Sequence, residues 1–188
     1  MTDAERRTLL RIARDAVEAG IAGRPLLPAA DVHAEAPGYG GAFVTLRTGG
    51  QLRGCIGTFS PDGPLPEMIQ KIAVEAAHDP RFLAMPLRTA DLPHLDIEIS
   101  LLSPMCHTDD PLSLELGVHG IHVRRGHQMG CFLPQVATER PQWSKEEFLR
   151  RCCADKAHLP PDAWREPGTD VSLFTAEIFN EREMTARS

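Results

Sequence analysis

Apolar positions along the chain fall into two periods, one helical and one alternating. Leu9, Leu10, Ala13, Ala16 and Val17 recur three and four apart, which predicts a helix over residues 3–19. Thr2 and Glu5 have the spacing of a capping box at its start. Gly20 and Pro25 are expected to end it. Residues 25–41 carry Pro, Gly and Ala with little period and read as a loop. Leu26, Leu27 and Tyr39 give that loop enough apolar surface to wrap the body.

Residues 41–47 and 51–58 alternate and read as a hairpin across Thr48-Gly49-Gly50, a three-residue loop ending in a left-handed glycine. This register puts Val44, Leu46, Leu52 and Ile56 on one face and Phe43, Thr45, Arg47, Arg53, Cys55 and Gly57 on the other. Arg53 and Cys55 then share a face, their Cβ atoms about 7 Å apart. A Pro-rich turn at 60–66 leads into a helix over 65–78, with Leu65, Met68, Ile69, Ile72, Ala73 and Ala76 facing inward. Asp79-Pro80 stops it, because the residue before proline is pushed out of the helical region. Residues 95–102 alternate as a half-buried strand.

The same order then recurs. Residues 118–124 and 127–133 form a hairpin around Arg125-Gly126. Residues 134–143 read as a loop, 144–157 as a helix with a capping box at Ser144 and Glu147, and 171–179 as a closing strand. Alternation sets His119 with Ile121 and Val123 on an apolar face and turns Cys131 inward. The predicted fold class is α+β: antiparallel sheets flanked by helices, in two ββαβ units, about 41–102 and 118–180, after one N-terminal helix. The whole of 1–188 is expected to form a single two-lobed domain. Gly54-Cys55 and Gly130-Cys131 occupy matching places in the two units, as an internal duplication would leave them.

Composition narrows the function classes. Apolar residues make up 42% and charged residues 24%, ordinary values for a soluble globule. A net charge of −6 argues against nucleic acid as the partner. Five cysteines, without a C-x-x-C pair, form no disulfide framework and suit a reducing, cytoplasmic setting. No signal peptide is read at the N-terminus, and no apolar run reaches the ~18 residues of a membrane span.

The candidate chemistry centres on the first hairpin. Glycine within a strand costs roughly 0.5–1 kcal/mol against alanine, so Gly54 and Gly57 call for a bulge or a close backbone approach. Cys55 reads as a nucleophile, with Arg53 favouring the thiolate, Gly57 leaving room for substrate and His119 as base. The competing reading, a small buried apolar group, is among the commonest roles of a free cysteine and is the weightier of the two on sequence alone. Arg53 and Arg81 could bind a carboxylate or phosphate, or Arg81 could close an ion pair with Asp79. His119 and His122 lie three apart on a strand and point to opposite faces, so no metal site and no cofactor are expected. P-loop, dinucleotide and nucleophile-elbow motifs are absent.

Residues 52–59 read LRGCIGTF. With Asp79-Pro80-Arg81-Phe82, Val118-His119-Gly120-Ile121, Leu133-Pro134-Gln135-Val136-Ala137 and Pro160-Pro161-Asp162-Ala163-Trp164, the chain resembles the AMMECR domain family over nearly its whole length. That family is also known as protein A of the AmmeMemoRadiSam system. The resemblance implies an α+β fold and a pathway shared with Memo-like and radical-SAM proteins as partners. It implies no particular reaction. The motif positions carried over are Arg53, Gly54, Cys55, Gly57, Asp79, Arg81, His119, Gly120, Pro134 and Gln135. Of these, Cys55 and His119 are the catalytic candidates. Arg53, Gly54, Gly57, Asp79, Arg81, Gly120 and Gln135 are the candidates for binding substrate. One departure is visible: His158 stands where the family usually has glycine, which bears on the cap of the last helix.

Two readings follow. One is an enzyme that modifies a small molecule or peptide through Cys55. The other is a non-catalytic adaptor that presents the LRGCIGTF strand and the Pro134-Gln135 loop to a protein partner.

Overall fold

The computed structural model describes residues 1–29, 38–61 and 63–186. Parts of the 25–41 loop and of the 60–66 turn therefore lie outside the described residues. The chain divides into two compact units. One holds residues 1–101 and resumes at 177, and the other spans 102–176.

Helix α1 (Asp3–Ala22) opens the first unit. Thr2 and Glu5 form the expected capping box, each side chain meeting the other's backbone N–H. The helix runs past Gly20 and ends at Gly23, in the left-handed conformation with φ 63°. Strands β1 (Gly41–Thr48) and β2 (Gln51–Thr58) pair antiparallel. Helix α2 (Leu65–Ala77) and strand β3 (Leu95–Leu102) follow. One face of the strands packs with α1 and α2 through Leu9, Val17, Val44, Leu46, Ile69, Ile72, Ile97 and Ile99, all buried. Ile72→Ala is expected to cost about 2–5 kcal/mol by leaving a cavity there. Urea unfolding measures it, and a loss under about 0.5 kcal/mol would mean that the site collapses around the smaller side chain.

The hairpin corrects one expectation. Thr48 pairs with Gln51, so the loop is the two residues Gly49 and Gly50, with φ 59° and 83°. Positive φ at both suits a tight turn whose twist matches the strands. The register then shifts between Leu46 and Arg47: Arg47 faces Leu52, while Leu46 faces Gly54. Arg53 is the extra residue of a β-bulge. Leu52 therefore opposes Arg47 rather than sharing a face with Leu46. Beyond the bulge the pairs are Thr45 with Cys55, Val44 with Ile56 and Phe43 with Gly57, so those faces are as expected.

The second unit contains β4 (Cys106–His107), β5 (Gly120–Arg125), β6 (Gln128–Phe132), α3 (Pro134–Glu139), α4 (Lys145–Arg151) and β7 (Asp170–Phe174). Residues 134–143, expected to be a loop, thus begin with a short helix that Pro134 starts. The helix expected over 144–157 is divided. Ser144 accepts from the Glu147 N–H at its start, and after Arg151 the coil widens into a π-turn, Cys152–Lys156. Its end is His158, with φ 55°, the described non-glycine residue in the left-handed region. A side chain in this region carries some steric cost, which glycine would not. Ile121, Val123, Phe132, Phe148, Leu149, Cys152 and Val171 fill this unit's core.

The strand expected over 171–179 is two strands. It breaks at Thr175, after which β8 (Ala176–Asn180) joins the first sheet, and α5 (Glu181–Ala186) follows. The sheet orders are β2-β1-β3-β8 and β6-β5-β7-β4. Hairpin, helix and closing strand thus occupy the same places in both units. The Gly-Cys pairs also match. Gly54 opposes Leu46 and Gly130 opposes Val123, on the helix-facing side. Cys55 opposes Thr45 and Cys131 opposes His122, on the other side. Cys131 therefore faces away from Ile121 and Val123, not inward. His119 precedes β5 and does not take part in its alternation.

Candidate functional site

The end of α2 builds the surroundings of Cys55. Pro80 cannot continue the helix, and the chain turns into a short 3-10 coil at Pro80–Phe82 with Asp79 as its cap. The Asp79 carboxylate is buried, 1% exposed, and among the described residues its donors are Cys55 and Arg81. It accepts the Cys55 N–H at 3.0 Å, the Arg81 N–H at 3.0 Å and the Arg81 guanidinium at 2.5 Å from Nη2. Arg81 Nη2 also donates to the Cys55 carbonyl at 2.7 Å. Both backbone polar groups of Cys55 are thus held by one ion pair. The Arg81 guanidinium is the main reason that the Asp79 carboxyl falls from 3.8 to about 2, with the Cys55 and Arg81 N–H groups adding to it against the cost of burial.

Around the thiol itself, the hydroxyl of buried Thr45 donates to Cys55 Sγ at 3.4 Å, and Cys55 as a residue is half-buried. The Asp79 carboxylate, against the cost of burial, raises the Arg81 pKa and keeps the guanidinium charged. Its side chain remains 56% exposed. Arg81, and not Arg53, is therefore the cation held on the cysteine. Arg53 leaves the strand at the bulge. Its Nη2 donates to the carbonyls of Met85 at 3.1 Å and Pro86 at 3.4 Å and lies 3.6 Å from Asp91. It pins the segment after Asp79-Pro80 to the sheet.

The glycines have separate reasons. A Cβ on Gly54 would lie 2.0 Å from the Ala76 carbonyl oxygen, at the end of α2. One on Gly130 would lie 2.4 Å from the Ala157 nitrogen, at the end of the π-turn. In each unit the helix terminus rests directly on the strand backbone. Gly57 does not leave a gap: the ring of its cross-strand partner Phe43 lies where a Cβ would be, at 2.3 Å. Gly120 is covered in the same way by Phe174, at 2.5 Å. An aromatic ring laid over a facing glycine shields the backbone hydrogen bonds, which is a packing role.

Cys55, Arg53, Gly54, Gly57, Asp79 and Arg81 belong to the first unit, and His119, Gly120 and Gln135 to the second. The His119 Nδ1 accepts the Glu115 N–H at 2.9 Å and closes the turn before β5. Gln135 lies in the first turn of α3, and its carbonyl accepts from Thr138 at 2.7 Å. Among the described residues no three His, Cys, Asp or Glu side chains converge to hold a metal, and no helix is long and apolar enough to cross a membrane. Sequence reasoning missed Thr45 and Phe43. The register that pairs them with Cys55 and Gly57 was the signal for both.

Fold and site together define an α+β protein of two like-ordered sheets, with a thiol held at the strand beside a buried ion pair. The AMMECR1 family profile matches residues 10–179, and the chain belongs to that family. A protein of Methanothermobacter thermautotrophicus is 42% identical over 188 residues, 94% of each chain. One from Thermococcus gammatolerans is 42% identical over 185 residues, covering 92% of this chain and 88% of its own. The crystal structure of uncharacterized protein PH0010 from Pyrococcus horikoshii is similar at TM-score 0.85 and 37% identity, covering 96% of this chain and 93% of its own.

Proposed function

We propose that the protein is a thiol-based enzyme acting on an anionic small molecule or peptide, with Cys55 as nucleophile and Arg81 holding the anion. The observation that carries this reading is the setting of Cys55: a half-buried cysteine whose sulfur accepts from Thr45 and whose own carbonyl accepts from the Arg81 guanidinium. A cation and a donor beside a thiol favour its anionic, reactive form. Asp79 is not the base, because its carboxylate is fully engaged by Cys55 and Arg81. The proposal includes the pathway that the family resemblance implies, shared with Memo-like and radical-SAM proteins.

Timed iodoacetamide labelling with mass spectrometry tests the reading. Cys55 is expected to label faster than exposed Cys106, and Arg81→Met to remove that advantage. Buried Cys152 and Cys153 should label only on unfolding. Burial pushes both of those thiols up in pKa, Cys152 well above the usual range. A Cys55 that labels no faster than Cys106 sinks the enzyme reading.

The adaptor reading rests on a different observation. Leu83 and Met85, in the segment that Arg53 pins, are 72% and 65% exposed. Large exposed apolar side chains beside a fixed arginine suit recognition of a protein partner.

A further inference from the structure

The outer face of the second sheet carries a row of polar side chains that the Cys55 reading does not use. His107 on β4 opposes Ser172 on β7, Ser172 opposes His122 on β5, and His122 opposes Cys131 on β6. Residues directly opposite one another share a face. Ile121, Val123 and Val171 are buried in the core, so the residues between and beside them face outward. Two residues along the strands Asp170 opposes Arg124, on this same face. Met105, His107, His122, Arg124, Asp170 and Ser172 line a concavity of about 490 Å³ here.

We propose that this concavity binds the phosphoryl group of a small molecule, with His107, His122, Ser172 and Arg124 as its donors. Four donors from three strands, one of them a guanidinium, match the several oxygens of a tetrahedral anion. Met105 supplies an apolar wall for the organic part of an ester. A metal ion fits worse: arginine offers no lone pair, and among the described residues no three metal-ligating side chains converge.

The carboxylates nearby are occupied and displaceable. Asp170 pairs with Arg124 at 3.1 Å, both more than half exposed, and exposed pairs hold weakly. His107 pairs with fully exposed Asp109 at 3.3 Å. Burial, and then the Arg124 charge, lower the His122 pKa. The groups facing His122 are Arg124 on its own strand, Asp170 on β7, His107 on β4 and Cys131 on β6. A bound oxyanion favours the imidazolium, while the phosphate's own second ionisation close to neutrality opposes this as pH falls. The site lies wholly in the second unit and does not depend on the Cys55 proposal.

The test is an NMR titration of the full chain with inorganic phosphate and with phenyl phosphate at pH 6.5, following the imidazole signals of His107 and His122. Saturable shifts of both are expected with each probe. Tighter binding of the ester assigns an organic phosphate as the source, and equal binding assigns free phosphate. Asp170→Asn frees Arg124 and should tighten binding about threefold or more, while surface Arg124→Gln should weaken it about fivefold or more. His122→Asn should weaken binding at pH 6.5 about threefold or more. The proposal is overturned if phosphate moves neither histidine, if Asp170→Asn abolishes binding, or if zinc moves the histidines and phosphate does not.

Discussion

Gly54→Ala is expected to destabilise the protein by about 3 kcal/mol or more, the upper end of what overpacking costs. The added Cβ would lie 2.0 Å from the Ala76 carbonyl oxygen and 3.0 Å from its carbon. Both are backbone atoms at the end of α2, so no side chain can swing aside. Either the helix lifts from the sheet or the strand bends. Lifting α2 exposes Ile69 and Ile72, and bending β2 pulls the Cys55 N–H from Asp79. Urea unfolding measures the loss. Gly130→Ala should behave alike, because its Cβ would lie 2.4 Å from the Ala157 nitrogen. A Gly54→Ala protein within about 0.5 kcal/mol of the parent would show that the helix end has room to move.

Asp79→Asn is expected to cost about 2–3 kcal/mol at neutral pH. The amide has one acceptor oxygen for the Cys55 N–H, the Arg81 N–H and a guanidinium, and its own NH2 meets those donors head on. Arg81 is over half exposed and rehydrates, which keeps the cost below that of a fully buried broken pair. The pH dependence has a definite sign. The carboxyl falls from 3.8 to about 2 on folding, so its contribution is fully present above about pH 5. It is lost as pH falls through about 2. The difference between parent and Asp79→Asn should therefore be constant from pH 7 to about 5 and shrink below that. Denaturant titrations across this range measure it. A constant difference down to pH 2 would mean that Asp79 is not the titrating group.

Much of the frame is determined by local chemistry. The Thr2–Glu5 box, the stripe from Leu9 to Val17 and the inward face of α2 depend on spacings within one element, and the sequence carries those spacings directly. The alternation of 95–102 gave β3 its bounds for the same reason. The order of elements sufficed for the two like units. Asp79-Pro80 marked the end of α2 because proline restricts its neighbour whatever the tertiary context.

What the tertiary structure alone decided concerns pairing across elements. The loop at Gly49-Gly50 is one residue shorter than expected, and the bulge at Arg53 absorbs the difference. A sequence shows alternation on both sides of a bulge without showing which residue is extra. That single residue moved Arg53 from the thiol to the carbonyls of Met85 and Pro86 and left Arg81 as the cation on Cys55. The break at Thr175, between β7 in one sheet and β8 in the other, was likewise invisible, because both halves alternate and nothing local states which neighbour each will pair with. Gly57 looked like open space because glycine carries no side chain of its own. Its cross-strand partner Phe43 fills that space, and only the register of two strands brings that ring to that residue.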